Sequence, residues 1–457
     1  MFKLNGFLNT VERIMIKELC VEMILILSLC AVGQSVEPIF PYKYNVEILP
    51  NDLKVITIPM ESNGIVAYYS VTRAGSRDEW EPGHSGFAHL FEHMMFRGTE
   101  KYPGPMYDKI MTGLGADANA YTTDDYTCYH LNFVAEDLEK VIEMESDRFI
   151  NLKYNEPEFK TETGAVYGEF LKGRVSPWYV IFEKLYDTAF DKHTYKHTTI
   201  GFEADVKAMP TMYKYSQSFF KRYYRPENVV LLIVGQIETV PTLELVRKYY
   251  GNWKPGYEAP QITPEPPQTA ERTAEVSYPG KSLPILLVAY KSDVYDPGNR
   301  RYVAALLLEQ LAFGENSDLY KRLVIKEQKV EFIASNFSRN RDPKLNEIYA
   351  MVKSETDIDY VRDQILMSLE QFKTEPVDES RLNDLKKNLK YRFLMDLDTP
   401  DNVAGNLANY IAITGGIETV DQLFSEIMNI TSTDIQQAAQ FYCVPEKRTV
   451  VILRGVE

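Results

Sequence analysis

Residues 88–96 read AHLFEHMMF, and residues 305–313 read ALLLEQLAF. The two stretches align without a gap at an offset of 217 residues (305 minus 88). A second pair of signals recurs in the same order. Pro226-Glu227 precedes the apolar run NVVLLIV at 228–234, and Pro445-Glu446 precedes TVVIL at 449–453. A chain of 457 residues that carries the same signals twice reads as two copies of one fold. Between the copies, residues 254–268 (KPGYEAPQITPEPPQ) hold five prolines and are expected to form a stiff, extended linker. The expected division is therefore an N-terminal domain over 40–253, the linker, and a C-terminal domain over 269–457.

The first of the two nonamers contains His89-Leu90-Phe91-Glu92-His93. On a helix, residues four apart share a face, so His89 and His93 can turn two imidazoles toward one point. Glu92 reaches the same face. Two imidazoles and a carboxylate are what a hydrolytic zinc site needs, and this order of residues is the inverted zincin pattern. Gly83, Ser85 and Gly86 supply a turn and a helix start just upstream. Leu90, Phe91, Met94, Met95 and Phe96 make the helix apolar on most sides, so it should be buried. Alone, the pattern also fits two core histidines bonded to backbone carbonyls.

The second copy separates those readings. There Leu306 stands for His89, Gln310 for His93, and Glu309 keeps the place of Glu92. After the break at Asn155-Glu156-Pro157, a helix is expected over about 158–171. Glu162 and Glu169 lie two turns apart on one of its faces. Glu169 is the candidate third ligand, with a solvated acidic face as the alternative. At the same offset of 217, Glu162 meets Glu379 and Glu169 meets Lys386. All three candidate ligands are absent from the second copy together. A helix that needed only to pack would have no reason to change at those positions, which favours a metal site in the first copy.

Composition narrows the rest. The chain is 45% hydrophobic with a net charge of −15, which argues against nucleic acid or an anionic membrane as partner. Met23 to Val32 is an apolar run too short to span a bilayer, and Ala31-Val32-Gly33 resembles a small-residue cleavage site. Residues 1–33 are expected to be a signal peptide, with Met15 as an alternative start and an ordinary N-terminal helix as the alternative reading. The expectation that follows is export across the inner membrane, to the periplasm of a Gram-negative bacterium, with no stable membrane insertion after cleavage. Cys128 and Cys443 then remain, one in each half, and are expected to be free buried thiols.

Strand-like alternation marks 44–59, with a turn at Pro50-Asn51-Asp52. Further strands are expected at 65–71, 126–133 and 228–234, and helices at 103–114 and 136–152. His84, His130, His193 and His197 read as structural or surface groups.

On these motifs the chain resembles the pitrilysin family, which includes insulysin and the mitochondrial processing peptidase, and in particular its half-size bacterial members. HLFEH at 89–93 matches the inverted zinc motif. Gly75-Ser76-Arg77, Phe96-Arg97-Gly98-Thr99, Asn119-Ala120 with Thr123, the spacing from Glu162 to Glu169, His193-Thr194-Tyr195 with Gly201, and Tyr224-Arg225-Pro226 are all similar to its surroundings. The resemblance implies an α+β fold of two homologous domains, each an antiparallel sheet packed against a helical layer. It also implies a zinc-dependent endopeptidase acting on peptides or unfolded segments. One zinc per chain would be held by His89, His93 and Glu169, and Glu92 would be the general base toward a zinc-activated water. Glu162 and Asn119 would orient the ligands. The alternative is a non-catalytic assembly subunit of a processing-peptidase-like complex. Two such chains commonly enclose a chamber in which a peptide binds as an added strand. Family members often carry an Arg and a Tyr near the segment similar to 315–335. This chain has Asp318 and Phe332 there, which favours a heterodimer with a second homologous chain over a homodimer.

Overall fold

The computed structural model describes residues 38–456, so the expected signal segment lies outside the described residues. In the first half, the strands are β1 (Asn45–Ile48), β2 (Lys54–Pro59), β3 (Ile65–Thr72), β4 (Asp117–Thr122), β5 (Thr127–Val134) and β6 (Val229–Gly235). In the second, they are β7 (Arg272–Tyr278), β8 (Ile285–Lys291), β9 (Val330–Asn336), β10 (Leu345–Val352) and β11 (Arg448–Gly455). The sheet orders are β1-β2-β6-β3-β5-β4 and β7-β11-β8-β10-β9.

With β1 set aside, the two orders are the same, and so are the directions. The pairs β2–β6 and β7–β11 are parallel, and the others are antiparallel. The one parallel pair has a simple origin. The last strand of each copy inserts between two strands that run in opposite directions, so it must be parallel to one of them. The expected antiparallel sheets hold apart from that pair.

The helices that position the site are α1 (Phe87–Met94), α2 (Gly104–Gly113), α3 (Leu138–Asn151), α4 (Glu156–Gly173) and α5 (Pro177–Ala189). Their counterparts in the second half are α6 (Arg300–Phe313) for α1, α7 (Ile358–Thr374) for α3, α8 (Glu379–Met395) for α4 and α9 (Pro400–Thr414) for α5.

The two halves are not self-contained. Val66 and Tyr68 of β3 join the core that includes Leu90, Phe91, Val141 and Ile142 of α1 and α3. Tyr69 faces the other way, and its hydroxyl donates to Asp401 in the first turn of α9 (2.8 Å). In exchange, Ile181, Leu185 and Ala189 of α5 pack with Leu287, Ala289, Val451 and Leu453 of the second sheet. The central strands of both sheets are thus covered on both faces, which explains why β6 is buried along its whole length and reads as a continuous apolar run. A boundary at 254–268 divides the chain but not the cores. Those residues have no regular secondary structure, yet they are docked: Glu265 accepts the backbone N–H groups of Asp191, Lys192 and His193.

The constant offset of 217 does not persist. It relates α1 to α6, but α7 has 17 residues where α3 has 14. By the next helix, the N-caps Asn155 and Asp378 differ by 223 (378 minus 155). In that register the buried residues Phe159, Thr163 and Phe170 meet the buried Leu382, Lys386 and Phe393. The expected match of Glu169 with Lys386, and of Glu162 with Glu379, is therefore corrected. Lys386 is buried on the side away from the cleft, donating to the carbonyls of Met428 and Ile430 (3.2 and 2.5 Å). Leu385 stands for Glu162 and Arg392 for Glu169.

Candidate metal centre

The site begins at the start of α1. Gly86 adopts φ +92°, and a Cβ there would lie 2.5 Å from the carbonyl oxygen of Ile200, so the helix entry admits no side chain. The buried carboxylate of Glu79 accepts the backbone N–H groups of Gly86 and Ala88 (2.7 Å each), satisfying two donors that a helix start leaves open. Burial raises the Glu79 carboxyl well above the usual carboxylate range, against the pull of those two donors. At the other side of the cleft, Asn155 caps α4 in a reciprocal box with Glu158, which fixes the start of the helix that carries Glu162 and Glu169.

Three of the residues singled out in the sequence meet at one point. His89 Nε2 lies 3.3 Å from Glu169 Oε2, and His93 Nε2 lies 3.6 Å from the same oxygen. One ligand atom from each of the three residues falls within 4.8 Å of the others. Zinc bonds of about 2.0–2.2 Å in a tetrahedral site place neighbouring ligand atoms roughly 3.3–3.6 Å apart. The donor set, two imidazole nitrogens and a carboxylate oxygen, is also one that zinc takes. The residues present therefore fit that ion. A hydrogen bond from His89, with the two imidazoles close by, holds the Glu169 carboxyl below its usual range.

Around this point, Glu162 Oε2 lies 3.3 Å from His93 Nδ1, and Glu162 Oε1 forms an ion pair with Arg97. Glu92 accepts a hydrogen bond from the Thr122 hydroxyl (2.6 Å). A cleft of about 680 Å³ opens beside these groups, lined by Glu92, His93, Arg97, Asn119, Glu162 and Glu169 among others. Asn119 lines the cleft from β4, the outer strand of its sheet, but its side-chain oxygen accepts the N–H of Ala120 rather than bonding a ligand. Thr122 and Arg97 carry no role in the sequence reading. Arg97 continues the spacing of His89 and His93 by four more residues, a signal that was available. Thr122 meets Glu92 only because β4 lies against α1.

The second copy has a cleft of about 1000 Å³ at the equivalent place, lined by Gln310, Leu385 and Arg392 among others, and no potential metal-ligand cluster is found there among the described residues. Asp318 pairs with Arg381 across it (3.3 Å), while Phe332 stacks on Trp178 of α5 (centroids 5.6 Å apart). Of the other histidines, His193 is buried between Tyr195 and Asp342, and His197 is buried near Glu79. Cys128 and Cys443 are free and buried.

Comparison with known proteins agrees with this arrangement. Residues 55–202 match the family model described as Insulinase (Peptidase family M16), and residues 213–389 match the one described as Peptidase M16 inactive domain. The zinc protease PqqE of Helicobacter pylori is 28% identical over 418 residues, covering 90% of this chain and 93% of that protein. The crystal structure of a protease from Helicobacter pylori superposes with a TM-score of 0.85 at 26% identity, covering 90% of this chain and 99% of the other. The periplasmic protease PqqL from Escherichia coli shares the fold at a TM-score of 0.72 and 17% identity, with 91% of this chain matching 48% of that longer one.

Proposed function

Because this chain belongs to peptidase family M16, the insulinase or pitrilysin family, we propose that it is a zinc-dependent endopeptidase that cleaves peptides or unfolded segments. The observation that carries this reading is the convergence of His89, His93 and Glu169 on one point with Glu92 beside it in the same cleft. Those three residues would hold one zinc ion per chain. Bound there, zinc would polarise the scissile carbonyl and make a water that it holds more acidic. Glu92 accepts the proton of the attacking water and returns it to the leaving amine. Thr122 holds the Glu92 carboxylate by its hydrogen bond. The Glu162 carboxylate, 3.3 Å from His93 Nδ1, would take the Nδ1–H and so keep the Nε2 lone pair turned to the metal point, while Asn119 lines the same cleft.

The substrate would lie along β4. That strand pairs on one side with β5 and has no strand partner on the other among the described residues, and an extended peptide can continue the sheet there. Such an edge serves extended, unfolded segments.

A site built on one chain leaves a peptide open to solvent on one side, so we assign the rest of the chamber to a second homologous chain. PqqL, of which this chain spans about half, shows that the same fold occurs in a polypeptide of twice this length. Asp318 and Phe332 favour a different chain over a second copy, since neither can donate a hydrogen bond to a carbonyl oxygen as Arg and Tyr do. No helix among the described residues is long and apolar enough to cross a membrane. With the N-terminal apolar run, and with the periplasmic protease PqqL sharing the fold, we place the mature chain in the periplasm.

The alternative is a non-catalytic assembly subunit. The intact set His89, Glu92, His93 and Glu169 in one copy, beside the loss of all three candidate ligands from the other, favours the enzyme. The test is a peptide digest with Glu92→Gln. That variant should keep its zinc and its fold and lose cleavage, with or without the companion chain present. Undiminished cleavage would remove Glu92 from the reaction, and no cleavage by the wild type with any homologous companion would leave the subunit reading.

A further inference from the structure

We propose that Arg97 is a positioning residue for the metal site, acting by holding Glu162 against His93. The inference rests on the zinc reading above and concerns what supports one ligand rather than the ligands themselves.

His89, His93 and Arg97 stand four and then four residues apart. The 3-10 turn Met95–Arg97 continues α1, so the three side chains form one stripe facing α4. The Arg97 guanidinium pairs with one oxygen of Glu162, and the other oxygen lies 3.3 Å from His93 Nδ1. Glu162 is only 7% exposed. A carboxylate buried to that degree needs a charged or hydrogen-bonding partner to stay ionised and in place. Its neighbours on the two sides are the guanidinium and the imidazole. With Arg97 present, Glu162 is fixed as the acceptor for the Nδ1–H of His93, and Nε2 is left as the ligand atom. His89 Nδ1, by contrast, is buried with no hydrogen-bond partner among the described residues, whereas His93 Nδ1 has the Glu162 carboxylate 3.3 Å away.

The degenerate copy supplies an independent observation. Gly314 takes the place of Arg97 at the offset of 217, and Leu385 takes the place of Glu162 at the offset of 223. The cation and its carboxylate are gone together, in the same copy that lacks all three ligands. A pair kept only to tie α1 to α4 would be equally useful between α6 and α8. The rival is a direct role on substrate, because the Arg97 side chain is 36% exposed and lines the cleft.

The experiment is a zinc affinity cycle, measured on the full chain by competition with a chromophoric chelator, with the fold checked by circular dichroism. The variants are Arg97→Ala, Arg97→Lys, Glu162→Gln and the double variant Arg97→Ala/Glu162→Gln. Loss of a group that orients a metal ligand lowers affinity by roughly ten- to hundredfold. Arg97→Ala should show a loss of that order, Arg97→Lys should recover most of it, and the double variant should bind no more weakly than Glu162→Gln alone. If Arg97→Ala fails to fold, Arg97→Met takes its place in the cycle with the same expectation. Unchanged affinity in Arg97→Ala, or losses that add in the double variant, would overturn the proposal. So would a raised KM for peptide with zinc affinity intact, which would put Arg97 on the substrate. A wild-type chain that binds no zinc would instead defeat the zinc reading, and the two failures are distinct.

Discussion

Thr122→Val isolates the group that holds Glu92, the proposed general base. The Thr122 hydroxyl donates to Glu92 at 2.6 Å, and Val keeps nearly the same shape while removing the donor. The backbone of β4 is unaffected, since residue 122 stays paired with Thr127 of β5. A hydrogen bond to a charged acceptor contributes about 1.5–3 kcal/mol. If that energy holds Glu92 in its working position, its loss lowers kcat by roughly ten- to 160-fold, at about 1.36 kcal/mol per tenfold. Zinc content should not change, because Glu92 is not among the three ligands. The assay is turnover of a fluorogenic peptide together with zinc per chain by atomic absorption. Unchanged kcat would show that Thr122 does not position the base. A fall in kcat that tracks a fall in zinc would show that the pair supports the metal instead.

Two further outcomes test the scaffold. Gly86 and Gly83 both have φ above +80°, and forcing a side chain into that region costs about 1–3 kcal/mol. Only at Gly86 would the new Cβ also strike a carbonyl oxygen, so Gly86→Ala should lower the urea midpoint well beyond Gly83→Ala, and equal shifts would contradict the close approach. Asp342 joins the second half to the first. Burial opposes its ionisation, but hydrogen bonds from His193 and Arg77 outweigh burial and hold its carboxyl at about 2, below its ordinary 3.8. A depressed carboxyl stabilises the fold fully above its unfolded pKa and loses that contribution as pH falls through the folded one. The stability lead of the wild type over Asp342→Asn should therefore be full at pH 7 and shrink between about pH 4 and pH 2, and a lead independent of pH across that window would refute the assignment.

Much of this was legible in the sequence because it depends on short-range periodicity. The four-residue spacing of His89 and His93 and the seven-residue spacing of Glu162 and Glu169 are properties of single helices, and the structure brings His89, His93 and Glu169 to one point with Glu162 beside His93. The duplication was legible for the same reason, as two stretches of like pattern at a fixed offset. The offset failed where a helix lengthened. Three extra residues in α7, together with longer connections, rotate α8 so that Lys386 faces inward and Arg392 takes the place of Glu169. What could not be read was anything set by packing between distant segments. Nothing local in α5 or α9 says that each will cover the other half's sheet. Nothing in Thr122 says that β4 will bring it to Glu92. Arg97 lies between these cases: its place on the stripe is periodic, but its partner on α4 is a tertiary contact.

The central claim is that His89, His93 and Glu169 together hold one zinc ion, and the most direct test is the zinc content of the purified chain before and after Glu169→Gln. A chain loaded with zinc and dialysed against buffer should retain about one ion, as a single tetrahedral site requires, and Glu169→Gln should retain little under the same dialysis. A wild-type chain that emerges free of zinc, or a Glu169→Gln chain as fully loaded as the wild type, would contradict the account.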